Sequence, residues 1–147
     1  MHKKIIQNKY ANYQYFIIKK LEAGISLQGW EVKAIRAKKI EINHAYIFIK
    51  NNEAYTSNII IHPITTASSH IQHDISRHRK LLLKKNELHL LSKENNNFKY
   101  TIIPLELYWK NQWIKISIGI GKGKKQYDKR AEIKKREWLL DKNKVLF

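Results

Sequence analysis

Cysteine is absent from the chain. Disulfides and thiolate zinc sites are thereby excluded, and a reducing compartment is compatible with the composition. No stretch approaches the roughly 20 consecutive apolar residues needed to span a bilayer. The opening MHKKIIQNKY has a charged start but no apolar segment of signal-peptide length. A cytoplasmic location without membrane attachment is expected. Acidic residues are scarce, 12 against 29 Lys and Arg, and no pair of them has a spacing that forces a shared site. G-x-S-x-G, P-loop and H-E-x-x-H patterns are missing. Gly121, Gly123 and the lysines after them resemble a phosphate cradle, but no strand–loop–helix unit ending in Lys-Ser/Thr follows. His70, His73 and His78 lie near Asp74 in a spacing that matches no usual zinc arrangement. The expectation is no enzyme, no metal and no cofactor.

What is present points elsewhere. Hydrophobic residues make up 43% of the 147, enough for one domain with a core, and the net charge is +17. Such an excess repels itself in a compact state and needs a polyanion to offset it. Nucleic acid fits best when aromatic content is weighed with charge. Lys, Ile and Asn are abundant, as AT-rich codons would make them, so clusters carry more meaning than single lysines. Three clusters stand out: Lys33 with Arg36 and Lys38; Arg77, Arg79 and Lys80; and the run from Lys122 to Arg136.

Along the chain, YQYFII at 13–18 reads as a strand, EAG at 22–24 breaks it, and ISLQGW resumes a strand. Tyr15 and Phe16 are read as core. EVKAIRAKK at 31–39 is a short helix with Val32 and Ile35 on one face and Lys33 and Arg36 on another. AYIFIK and EAYTSNIII flank Asn51-Asn52, a hairpin signal. RHRKLLLKKNELHLLSK at 77–93 predicts the longest helix, with Leu81, Leu88 and Leu91 on one stripe. The stretch 62–76 reads as a loop. YTIIPLELYW and QWIKISIGIG surround Lys110-Asn111, and Ile114, Ile116, Ile118 and Ile120 alternate with small or polar residues. Pro104 suits an edge or a bulge. Strands joined as hairpins with few helices predict a mainly β, OB-fold-like small barrel with one or two helices. A sheet packed on one helix is the competing architecture. The chain divides into a body over 1–121 and a basic tail over 122–147. The tail's apolar stripe is too thin to hold a helix on a core, so it is expected to be disordered when free and helical once its charges meet an anion.

Several blocks, in order, carry a resemblance: NKYANYQYFI, EAGISLQGWEVKAIRA, HDISRHRKLLL, YTIIPLELYWKNQWIKISIGIGKGKKQYDKR and IKKREW. Together they resemble SmpB, the SsrA-binding (tmRNA-binding) protein family of bacteria, over essentially the whole chain. The resemblance implies an OB-fold body that binds the tRNA-like domain of tmRNA and helps deliver it to stalled ribosomes in trans-translation. It also implies a tail that enters the decoding site and the empty mRNA channel of the small subunit. Elongation factor Tu would be met through tmRNA, and the protein would act as a monomer. Glu22 matches a family acid important for tmRNA binding; a carboxylate suits an RNA interface if it accepts from base amino or imino groups or orients a basic neighbour. Lys33, Arg36, Arg79, Lys80 and Lys115 would grip the RNA backbone. Leu82 matches another sensitive position, but as part of RKLLL it reads as core packing. In the tail, Tyr127 would stack on a decoding-site base, a contact worth roughly 1–3 kcal/mol. Around it Lys124, Lys125, Asp128, Lys129 and Arg130 would meet ribosomal RNA, and Lys134, Arg136 and Trp138 would continue along the channel. The chain departs from the family pattern at Tyr10 and Asn12, where arginines are usual, at Lys38, usually glycine, and at Ile75, usually proline. It also ends early, at NKVLF. A general single-strand-binding OB module is the alternative.

Overall fold

The structure is a computed structural model and describes residues 2–64, 73–96, 99–124, 130 and 133–140. The elements run β1 (His2–Gln7), α1 (Ala11–Gln14), β2 (Tyr15–Ile25), α2 (Gly29–Arg36), β3 (Ile40–Glu41), β4 (Tyr46–Lys50), β5 (Glu53–Ser57), β6 (Ile60–Ile61), β7 (Arg79–Leu82), α3 (Lys85–Asn95), β8 (Tyr100–Lys110) and β9 (Trp113–Gly123). Residues 133–140 form one further helix.

Alternation builds the barrel. In β9, Ile114, Ile116, Ile118 and Ile120 are all buried, as their period of two predicts. Ile47, Ala54, Leu81, Ile102 and Leu107 meet them from the other strands. The sheet order is β1-β8-β4-β5-β7-β2-β9, and β8 also pairs with β9, so the strands from β8 round to β9 form a closed circuit. The fold is therefore mainly β and OB-like. One edge of β8 pairs with β9; the other is shared by β4, at Ile102, and by β1, at Glu106–Lys110. Pro104 sits beside a register shift between Pro104 and Glu106, the bulge its missing N–H favours. Asn51 and Asn52 both have positive φ, 51° and 60°, the backbone of a tight hairpin. Lys38 holds the left-handed conformation, φ 59°, where the family pattern has glycine. It takes the turn and does not extend α2, which ends at Arg36.

Four readings of the sequence are corrected. Gly24 does not break β2, which runs unbroken from Tyr15 to Ile25, and Gly29-Trp30 opens α2 where a strand was expected. The helix expected over 77–93 divides into β7 and α3. Its leading segment alternates, with Arg79 and Leu81 inward and Lys80 and Leu82 outward, a strand pattern too short to stand out beside the leucine spacing. Phe16 is not core; its ring is exposed and carries the Lys124 ammonium 4.9 Å from its centroid.

Candidate nucleic-acid interface

The outer face of β2, β9 and β8 assembles polar side chains by register. Glu22 pairs with Ser117, and Ser117 with Glu106; Gly24 pairs with Lys115, and Lys115 with Tyr108. The second row continues to Lys4 on β1 and Leu82 on β7. Side chains in one row stand about 4.8 Å apart from strand to strand.

Glu22 is held at both oxygens. The Tyr108 hydroxyl donates to Oε2, and Lys110 Nζ donates to Oε1 at 3.1 Å. The Tyr108 hydrogen bond, more than the neighbouring Lys110 and Lys115 charges, holds the Glu22 carboxyl below its ordinary value. Burial first and the Glu22 hydrogen bond second push the Tyr108 phenol well above its own. The pair is thus a fixed carboxylate with a phenol that stays neutral. Glu22 keeps 37% of its side-chain surface exposed, so it remains open to a ligand.

Glu22, Gly24, Lys80, Leu82 and Lys115 line one shallow trough of about 620 Å³. Lys80 makes a looser ion pair with Glu53, 3.6 Å. Leu82 is 57% exposed, and its Cβ lies 3.2 Å from where a Cβ on Gly24 would be. The expectation that Leu82 is core is overturned: Leu81 fills the barrel, and Leu82 forms the apolar wall of the trough.

Arg36 lies in a separate cleft. Its guanidinium sits 5.6 Å from the Trp109 ring centroid, with Lys3, Lys4 and Lys38 lining the same cleft. Lys33 is exposed on α2. The trough and the cleft communicate through the row Lys4–Tyr108–Lys115.

Arg79 is corrected. Its side chain is fully buried, and it donates to Glu31 Oε2, to the Ile59 carbonyl at 2.7 Å and to the Ile75 carbonyl at 3.1 Å. These bonds leave it no reach to RNA. Its partner Glu31, equally buried, also accepts from Arg77 at 2.5 Å and from the Gln28 N–H at 2.7 Å. Burial raises the Glu31 carboxyl, but the hydrogen bonds from Arg77, Gln28 and Arg79 outweigh it and leave the value lowered. This network ties α2 to β7 and to the segment before it. The sequence held no sign of it, because Glu31 looks like any first-turn helix acid.

Lys124 roots the tail. Its N–H donates to the Gln14 carbonyl at 2.9 Å and its Nζ to the Asn12 carbonyl at 2.5 Å. Arg130, Lys134, Arg136 and Trp138 are exposed, the last three on the helix over 133–140. Lys125, Tyr127, Asp128 and Lys129 lie outside the described residues, as does His70. His73 stacks on Trp30 at 4.4 Å and His78 meets the edge of Phe48 at 4.9 Å. Among the described residues no His, Cys, Asp or Glu group could hold a metal ion.

The model of the SmpB protein family matches residues 5–146. The chain belongs to the SmpB family. It is also similar to a chain in a solved assembly described as "tmRNA-SmpB: a journey to the center of the bacterial ribosome". The identity is 34% and the TM-score 0.70, covering 84% of this chain and 86% of that one. No helix among the described residues is long and apolar enough to cross a membrane.

Proposed function

We propose that this protein is the RNA-binding factor of trans-translation in its cell. It binds tmRNA and accompanies it to stalled ribosomes. The body, residues 1–121, seats the tRNA-like domain, and the tail, residues 122–147, enters the decoding site and the vacant mRNA channel. It acts in the cytoplasm as a monomer, supplies shape and charge rather than catalysis, and meets elongation factor Tu through tmRNA.

The carrying observation is the Glu22 carboxylate fixed at both oxygens by Tyr108 and Lys110 beside Lys115. A lone carboxylate would repel phosphates. A clamped one, ringed by lysines, accepts from base edges while the lysines neutralise the backbone around it. Lys33, Lys80 and Arg36 extend that neutralisation across the trough and the cleft. In the tail, Lys124 sets the exit point, and Lys125, Tyr127, Asp128, Lys129, Arg130, Lys134, Arg136 and Trp138 face ribosomal RNA.

A gel-shift titration of the full chain tests this at two ionic strengths. A folded tRNA-like acceptor–D-arm RNA should bind more tightly than random duplex or a poly-pyrimidine strand, and its affinity should fall steeply with salt. Equal affinity for the tRNA-like RNA and random duplex overturns the proposal. A preference for the unstructured strand favours a general single-strand-binding module.

A further inference from the structure

The outer face of β4 and β5 lies beside the trough, and its rings have no part in the function proposed above; β7 next to it presents Lys80 and Leu82 to the trough. Tyr46 and Phe48 point outward from β4, Tyr55 from β5, and His78 stands just before β7. Phe48 and Tyr55 are cross-strand partners with ring centroids 5.7 Å apart and planes 24° apart. Tyr46 lies 6.4 Å from Phe48, and His78 meets Phe48 edge-on. Four rings thus form one contiguous patch. Phe48 and Tyr55 are half-buried, and Tyr46 and His78 are exposed. Tyr46, Phe48 and Tyr55 all stand on the face of the sheet opposite the core residues Ile47 and Ala54.

Rings on an outer sheet face gain nothing from the core, and at a mostly charged surface they cost solubility. The neighbouring charges indicate what would cover them. Tyr55 pairs in register with Lys80, which lines the Glu22 trough, and Lys50 ends β4 at the edge of the patch. The acid at this edge, Glu53, is already engaged with Lys80. The patch is therefore aromatic, cation-rimmed and continuous with the trough.

We infer that this face is a stacking platform for an unpaired base of the RNA whose folded part occupies the trough. The inference rests on the RNA-binding reading above and adds a second, single-stranded contact to it. Every base offers a π-face, so such a platform reads unpaired character and not sequence. The adjacent lysines would hold the phosphates on either side.

The test uses the full chain and two synthetic RNAs: a hairpin with a single-stranded overhang and the same hairpin blunt-ended. Wild type should bind the overhang RNA more tightly. Tyr46→Ala and Phe48→Leu should each lose about five-fold or more on the overhang RNA, from roughly 1 kcal/mol or more per stacked base, and little on the blunt one. Unchanged affinity in both variants, or an equal loss on both RNAs, overturns the platform while the RNA-binding reading stands. Failure of wild type to bind the overhang RNA overturns the platform, while the RNA-binding reading is decided separately by the titration with tRNA-like RNA. Should a variant fail to fold by circular dichroism, Tyr46→p-benzoylphenylalanine supplies the second measurement. Irradiation with ribosomes and tmRNA should give RNA adducts, and adducts to protein alone overturn the inference.

Discussion

Tyr108 shows how one residue sets the chemistry of another. Its hydroxyl fixes one oxygen of Glu22, and the lysines alone would leave that carboxylate free to swing toward any cation. Tyr108→Phe removes the donor and keeps the ring in place. Affinity for tRNA-like RNA should fall about five-fold, on the scale of roughly 1 kcal/mol for one hydrogen bond, with the melting profile little changed. A binding titration paired with a thermal melt checks both halves, and full retention of affinity would remove Tyr108 from the interface. The Glu31–Arg79 pair behaves differently because it is buried. Arg79→Met leaves Glu31 with Arg77 as its one remaining cation and should destabilise the fold by about 3–5 kcal/mol, read by urea denaturation. The folded fraction should keep its RNA affinity, which separates this arginine from a phosphate-gripping one. The pH dependence follows from the same groups. The Glu22 and Glu31 carboxyls are both lowered from an ordinary value of 4.5. The stability they contribute is present above that value and is lost as pH falls through their lower folded values. Urea midpoints measured at decreasing pH should therefore drop below about pH 4.5, and Glu31→Gln should flatten that drop. At this scale the sequence was legible only where chemistry repeats. Glu22 and Lys115 lie in one trough, but Arg79 differs from Lys80 by one place in a four-residue strand, and that one place decides which of them meets solvent.

Periodicity decided what could be read of the elements. The first six residues of β9, Trp113 to Ile118, alternate without fault, and the Asn51-Asn52 hairpin follows from two residues that tolerate positive φ. The segment 77–93 misled because three leucines at helical spacing outweigh a strand of four residues, and only the closing of the barrel makes Arg79–Leu82 a strand. Gly24 looked like a break but serves as a gap: with no side chain, it lets Leu82 lie across β2 and wall the trough. Gly121 serves similarly at the other end of the sheet. A Cβ there would fall 2.9 Å from Tyr15 Cβ, on the strand pair that leads into the tail. Gly121→Ala should therefore forfeit the usual gain from filling a strand glycine and cost about 1–3 kcal/mol through forced displacement. Hydrogen exchange should show the loss concentrated in the β2–β9 ladder near Tyr15–Ile17 and Gly121–Gly123. A protein as stable as wild type would show that Tyr15 can move aside freely.

Across the whole molecule, two charged systems are set apart by the length of one strand. Trp113 opens β9 at the β8–β9 turn, and Gly123 ends it beside α1, where Lys124 is fastened to Asn12 and Gln14. Ten steps of about 3.3 Å from Trp113 to Gly123 place the tail's exit roughly 33 Å along β9 from the turn beside the Arg36–Trp109 end of the barrel. Glu22, level with Ser117, lies between the two. On the proposed function, a ligand in the trough and a partner met by the tail would engage different stretches of one strand pair. The helix over 133–140 is exposed throughout, and a helix of that length is marginal in water without a surface to lie on. Deleting residues from Tyr127 onward keeps Lys124 and the root of the tail intact. The truncated protein should bind tRNA-like RNA within about two-fold of the full chain, since the cations removed, Lys129 to Lys144, are assigned to ribosomal RNA and the trough and cleft lysines are kept. It should nevertheless fail to support tagging of stalled chains in a reconstituted translation reaction. Loss of tmRNA affinity along with tagging would mean that the tail grips the RNA itself, and the barrel and its extension would then have to be read as one surface.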